Sequence, residues 1–177
     1  METRWLLEIA KLHTSIDAAA AQVAQENPWL ACGRGCTECC MDDITVFTLE
    51  ALLISQHHGA TLAGEGPAPQ GGCAFLSPAG DCRIYEHRPY VCRTQGLPLR
   101  WLEDPSLAGS PEYRDVCPLS EPPAPLEELS PEGFFTLGDF EGRLATLQLM
   151  YDPQMTRVSL RDLFGKLSST HEPLGGE

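Results

Sequence analysis

The chain has 177 residues, 42% of them hydrophobic, and its 25 acidic against 12 basic residues give a net charge of −13. A field of that sign repels nucleic-acid phosphates and anionic membrane surfaces, so neither is expected as a partner. The length predicts a single domain over 1–177, and Gly 16 with Pro 15 predicts long loops that need something besides hydrophobic burial to fix them.

The N-terminal stretch "METRWLLEIAKLHTSID" has no basic segment followed by an unbroken apolar run, and no stretch approaches the roughly 20 apolar residues of a membrane span. The chain is therefore expected in the cytoplasm, where thiols stay reduced. Within residues 1–28, an amphipathic helix is predicted over 4–25. Trp5, Ile9, Leu12, Ile16, Ala19 and Val23 recur at three- and four-residue steps, and Asn27-Pro28 ends the run. After the first cysteines, "ITVF" is too brief to type. Thr48 is a candidate N-cap for "LEALLISQHH", with Gly59 as the stop and His57 and His58 in the last turn. Histidines there suit the helix dipole and serve less well as ligands.

A flexible loop is predicted over 59–72. In "CAFLSPAGDCRIY" two short segments flank a Ser-Pro-Ala-Gly-Asp turn, which predicts a β-hairpin with Cys73 and Cys82 near its two arms. Pro89 suits the start of a short helix in "EHRPYVCR", and "LPLRWL" reads as a strand. Cys117 sits in a loop that enters a proline-rich linker, 121–131. Helices are predicted in 132–168, with Phe140, Leu144, Leu147 and Tyr151 on one side of the first and Ser159 capping the second. A disordered tail is expected at 169–177. The expected fold is α+β: a small, mostly helical domain with an irregular, metal-stapled centre at 29–120 and a short β-hairpin.

The chemistry lies in the cysteines. Cys32-x3-Cys36-x2-Cys39-Cys40 places four thiols in nine positions, and Cys73, Cys82, Cys92 and Cys117 follow. Two thiols separated by two residues can aim both sulfurs at one ion from a tight turn, and Gly33 and Gly35 supply backbone freedom there. Four disulfides are disfavoured because the cysteines cluster too tightly to staple distant loops. Eight thiols suffice for two four-thiolate sites, for an iron–sulfur cluster plus a zinc, or for one site with spare thiols. Adjacent Cys39 and Cys40 project differently, so they are expected to serve different sites, or only one of them to be a ligand. Thiolates favour zinc, iron–sulfur or cuprous copper over calcium or magnesium. His87 and the Asp42-Asp43 pair are lesser ligand candidates. No catalytic set emerges apart from the thiols: there is no G-x-S-x-G, no glycine-rich phosphate loop and no H-E-x-x-H.

The first three cysteines have the spacing of the cluster-binding triad of radical S-adenosylmethionine enzymes, but the chain is too short and loop-rich for the barrel those enzymes need. The whole constellation is more specific. "CGRGCTECC", Cys73-Ala-Phe75-Leu76, Cys82-Arg-Ile84-Tyr85, Arg88-Pro89, Cys92-Arg93 and Cys117 together resemble the YkgJ-like cysteine-cluster (CxxCxxCC) family of zinc- or iron-chelating domains. The first spacing here is x3, where the family's name has x2. The resemblance implies metal chelation by Cys32, Cys36, Cys39, Cys40, Cys73, Cys82, Cys92 and Cys117, with zinc or iron as the metal. Arg88 and Arg93 are expected to donate hydrogen bonds to thiolates beside the site. Two rival functions stay open: an iron–sulfur protein with redox or protein-methylation activity, and a metal-stapled module that recruits a protein partner.

Overall fold

The structure is a computed structural model that describes residues 2–166; the tail expected to be disordered at 169–177 lies outside the described residues. In chain order the elements are α1 (Glu2–Glu26), β1 (Thr45–Phe47), α2 (Thr48–Gly64), α3 (Tyr90–Thr94), β2 (Leu99–Leu102), β3 (Glu112–Asp115), β4 (Phe135–Thr136), α4 (Asp139–Tyr151), β5 (Arg157–Ser159) and α5 (Leu163–Lys166). Helices with one two-stranded and one three-stranded sheet make a small α+β fold. Among the described residues no helix is long and apolar enough to cross a membrane. The residues group into two compact units, the first from the described parts of 1–9, 40–88 and 147–177, the second from 10–39 and 89–146.

In the first unit β1 pairs antiparallel with β5, Val46 opposite Val158. The core includes Val46, Ile54, Phe75, Ile84, Leu160 and Phe164. Phe75 is fully buried, its ring 4.8 Å from that of Phe164, and burial of such a side chain stabilises by about 1.5–3 kcal/mol. Thr48 is the first helical residue of α2 and not its cap; the capping position is Phe47, which has no side-chain acceptor. The need is met from afar. The buried Gln148 accepts a hydrogen bond from the Leu49 N–H (3.1 Å) and donates to the Thr48 hydroxyl (2.8 Å). Asp152 completes this network, receiving the Thr156 N–H at 3.0 Å. The predicted stop at Gly59 is also displaced. The helix breaks at His58 (φ −122°, ψ 20°) and resumes to Gly64, because "ATLAG" carries Leu62 back into the core. Ser159 ends β5, and its hydroxyl accepts the Arg161 N–H.

In the second unit Leu12, Ile16 and Val23 of α1 are buried, as the apolar stripe requires. Asn27 ends the helix by donating to Val23 O and to Gly133 O, both at 2.8 Å. β2 pairs antiparallel with β3 and parallel with β4. Arg114 lies over the Phe134 ring and donates to the carbonyls of Leu126 (2.7 Å) and Leu129 (2.8 Å). These bonds anchor the proline-rich stretch, which forms a 3-10 turn at Leu126–Glu128.

Candidate metal centre

All eight cysteines are described, and none is in a disulfide. Five belong to the second unit: Cys32, Cys36, Cys39, Cys92 and Cys117. The Cys36 N–H bonds to Gly33 O at 3.1 Å, closing a tight turn, and Gly35 takes φ +87°. Cys32 lies against Gly96, four residues beyond Cys92; a Cβ on Gly96 would stand 2.8 Å from Cys32 Sγ. The preceding Ala31 N–H donates to Ser120 Oγ at 3.1 Å, and Ser120 closes a turn back to Cys117 O. A bond to the Ser120 hydroxyl and a close contact at Gly96 thus link the Cys32 segment to those that carry Cys117 and Cys92.

The other three, Cys40, Cys73 and Cys82, belong to the first unit. The Cys73 N–H donates to Cys40 O at 2.8 Å. The hairpin exists in miniature: Leu76 and Cys82 form one antiparallel bridge, closed by Ser77 N–H to Asp81 O at 2.8 Å. Cys73 is buried, and Cys40 and Cys82 pack against the same apolar cluster. Burial pushes the Cys82 thiol above its ordinary value. The Ile84 N–H pulls the other way, proximity to Cys73 adds to the rise, and Arg88 and Arg83 oppose it. Without metal this thiol holds its proton, so ligation must release it.

The arginines divide by task. Arg88 stacks 4.0 Å over the Tyr85 ring, donates to Tyr85 O, and bears electrostatically on Cys82. Arg93 is buried and paired with Asp17. Arg83 donates to Ala74 O (2.6 Å) and Gly66 O (3.1 Å). Arg161 has no motif to announce it. It pairs with Asp42 at 2.5 Å and donates to Ala68 O (2.7 Å) and Gly72 O (3.1 Å), fastening the loop that leads into Cys73 to the residue two past Cys40. Asp42 also receives the Gly71 N–H, and these donors, Gly71 foremost, hold its carboxyl below the ordinary carboxylate value. Asp42 is therefore engaged as a loop anchor.

Thiol donors suit zinc or iron, and three of the cysteines lie in the first unit and five in the second. Among the described residues, no three His, Cys, Asp or Glu side chains stand close enough together to hold an ion as they are placed. The donor type fits the metal.

Residues 31–106 match the family model CxxCxxCC, described as a "Putative zinc- or iron-chelating domain". No curated protein and no solved structure matches the chain. Cys117 falls beyond the matched stretch, whereas the other seven cysteines fall within it. The family that the cysteines and their flanking residues resemble, CxxCxxCC, is thus the one whose model matches residues 31–106.

Proposed function

We propose that this chain chelates zinc or iron through its cysteine thiolates, and that chelation fixes its loop-rich centre or serves metal handling. The observation that carries this reading is the way hydrogen bonds and one close contact join the cysteine segments. Cys73 N–H to Cys40 O and the Leu76–Cys82 bridge do so in one unit; the Cys32–Gly96 contact and the Ala31–Ser120 bond do so in the other. Cys39 and Cys40 fall in different units, which favours their serving different ions. Bound zinc would cross-link the loops, and iron would add electron transfer. The thiols act as ligands by losing their protons, so affinity rises with pH. Arg88 stabilises the Cys82 thiolate that results, and Arg161 keeps the Cys40 and Cys73 segments in register. Such chemistry requires a reducing compartment such as the cytoplasm.

The test is anaerobic purification followed by elemental analysis and a visible spectrum. Zinc or iron bound in stoichiometric amount, and reduced in Cys36→Ser with Cys39→Ser, is expected; brown protein would identify an iron–sulfur cluster. A structural zinc contributes on the order of 10 kcal/mol, so chelation should unfold the chain's centre. Metal-free protein whose circular dichroism and melting are indifferent to added zinc or iron would refute the proposal.

A further inference from the structure

Three of the five histidines in the chain, His57, His58 and His87, meet at one place in the first unit. Successive residues of an unbroken helix point about 100° apart, so His57 and His58 would not share a neighbour. The break in α2 at His58 changes that. His58 Nε2 lies 3.0 Å from His87 Nδ1, while the His57 ring stacks on His87 with centroids 3.9 Å apart and planes 12° from parallel. His87 closes the 3-10 turn Tyr85–His87, its N–H bonded to Ile84 O at 2.8 Å. His57 is exposed and the other two rings are partly exposed, so all three can be reached from solvent.

We propose that His58 Nε2 and His87 Nδ1 form a binding site for one divalent transition-metal ion of the zinc or nickel kind, completed by water and separate from the cysteines. Metal–imidazole bonds are about 2.0–2.1 Å long, so two nitrogens on one ion at 90–110° lie roughly 2.9–3.4 Å apart. The observed 3.0 Å falls in that range. In the metal-free chain one N–H joins the two nitrogens; on binding, the donor ring carries that proton on its other nitrogen instead, and the ion takes its place between the two rings. Imidazole donors select transition metals over magnesium and calcium, and the net charge of −13 concentrates cations at the surface. His57, stacked on His87, limits the rotation of that ring.

The experiment is a Zn²⁺ titration of the full, reduced chain with 15N-labelled histidine, read at neutral pH from the ring-nitrogen signals, with buried His13 as internal reference. Once the thiolates are loaded, the His58 Nε2 and His87 Nδ1 signals should move together to metal-bound positions in one saturable step while His13 stays still. His87→Gln should abolish the His58 response and weaken that step by about tenfold or more, and His58→Gln should do the same at His87. Circular dichroism confirms that each variant is folded. The proposal is overturned if both signals stay put at about a tenfold excess of Zn²⁺ over thiols, or if His58 responds unchanged in His87→Gln. The proposal is independent of thiolate chelation, because the histidine nitrogens are observed directly.

Discussion

Gly96→Ala, made in the metal-free and reduced chain, tests how Cys32 is held. Gly96 sits at φ +90°, and an added Cβ would meet Cys32 Sγ at 2.8 Å and Cys32 Cβ at 3.0 Å. A residue other than glycine in the left-handed region costs about 1–2 kcal/mol. Forcing an extra methyl into a filled position costs a further ~1–3 kcal/mol. The sum is about 2–5 kcal/mol; at roughly 2–4 °C per kcal/mol for a chain of this size, melting should fall by about 4–20 °C. Thermal unfolding followed by circular dichroism measures it. A double-mutant cycle isolates the contact. In a Cys32→Ala background the sulfur is gone and the Cβ remains, so part of the loss, about 1 kcal/mol, should return. A Gly96→Ala chain within about 0.5 kcal/mol of the parent, or strict additivity with Cys32→Ala, would refute the placement of Cys32 beside the α3 turn.

Three other perturbations follow from the first unit. Gln148→Leu leaves the Leu49 N–H without its acceptor at the start of α2, and urea unfolding should show a loss of about 1–3 kcal/mol; an unchanged midpoint would contradict the capping role. Arg161→Met releases the carbonyls of Ala68 and Gly72, so amide exchange at Gly71 and alkylation of Cys73 should quicken by about tenfold, read by mass spectrometry; equal rates would show that the loop is held otherwise. His58 titrates below its ordinary 6.5 in the fold, chiefly through burial and then through His57. The fold therefore favours its neutral form. That stability is present above 6.5 and is lost as pH falls through the folded value, so the metal-free chain should melt lower in mild acid, and His58→Gln should flatten this dependence.

What the sequence discloses depends on how local the physics is. The α1 stripe was legible because its side chains recur with the helical period on one element, and Ile9, Leu12, Ile16 and Val23 are all buried. The cysteine constellation was legible because thiolate chemistry tolerates few substitutes. The β1–β5 pair was not. Three residues at 45–47 meet three at 157–159, too few for an alternating pattern and too distant for a turn signal. "EYRD" forms β3 with polar side chains on an exposed edge, where no hydrophobic period exists to be read. Gln148 and Arg161 look like ordinary surface residues of helical segments until the fold brings a helix N-terminus to one and three loop carbonyls to the other. The doubled Cys39-Cys40 falls where the chain passes from one unit to the other.

X-ray absorption at the zinc and iron edges of anaerobically purified protein tests thiolate chelation most directly. Thiolate chelation predicts stoichiometric metal with sulfur as the main scatterer, at about 2.3 Å for zinc, and a fall in sulfur coordination in Cys36→Ser and Cys73→Ser. A metal shell of nitrogen and oxygen alone, or protein that binds neither metal after reconstitution, would contradict it.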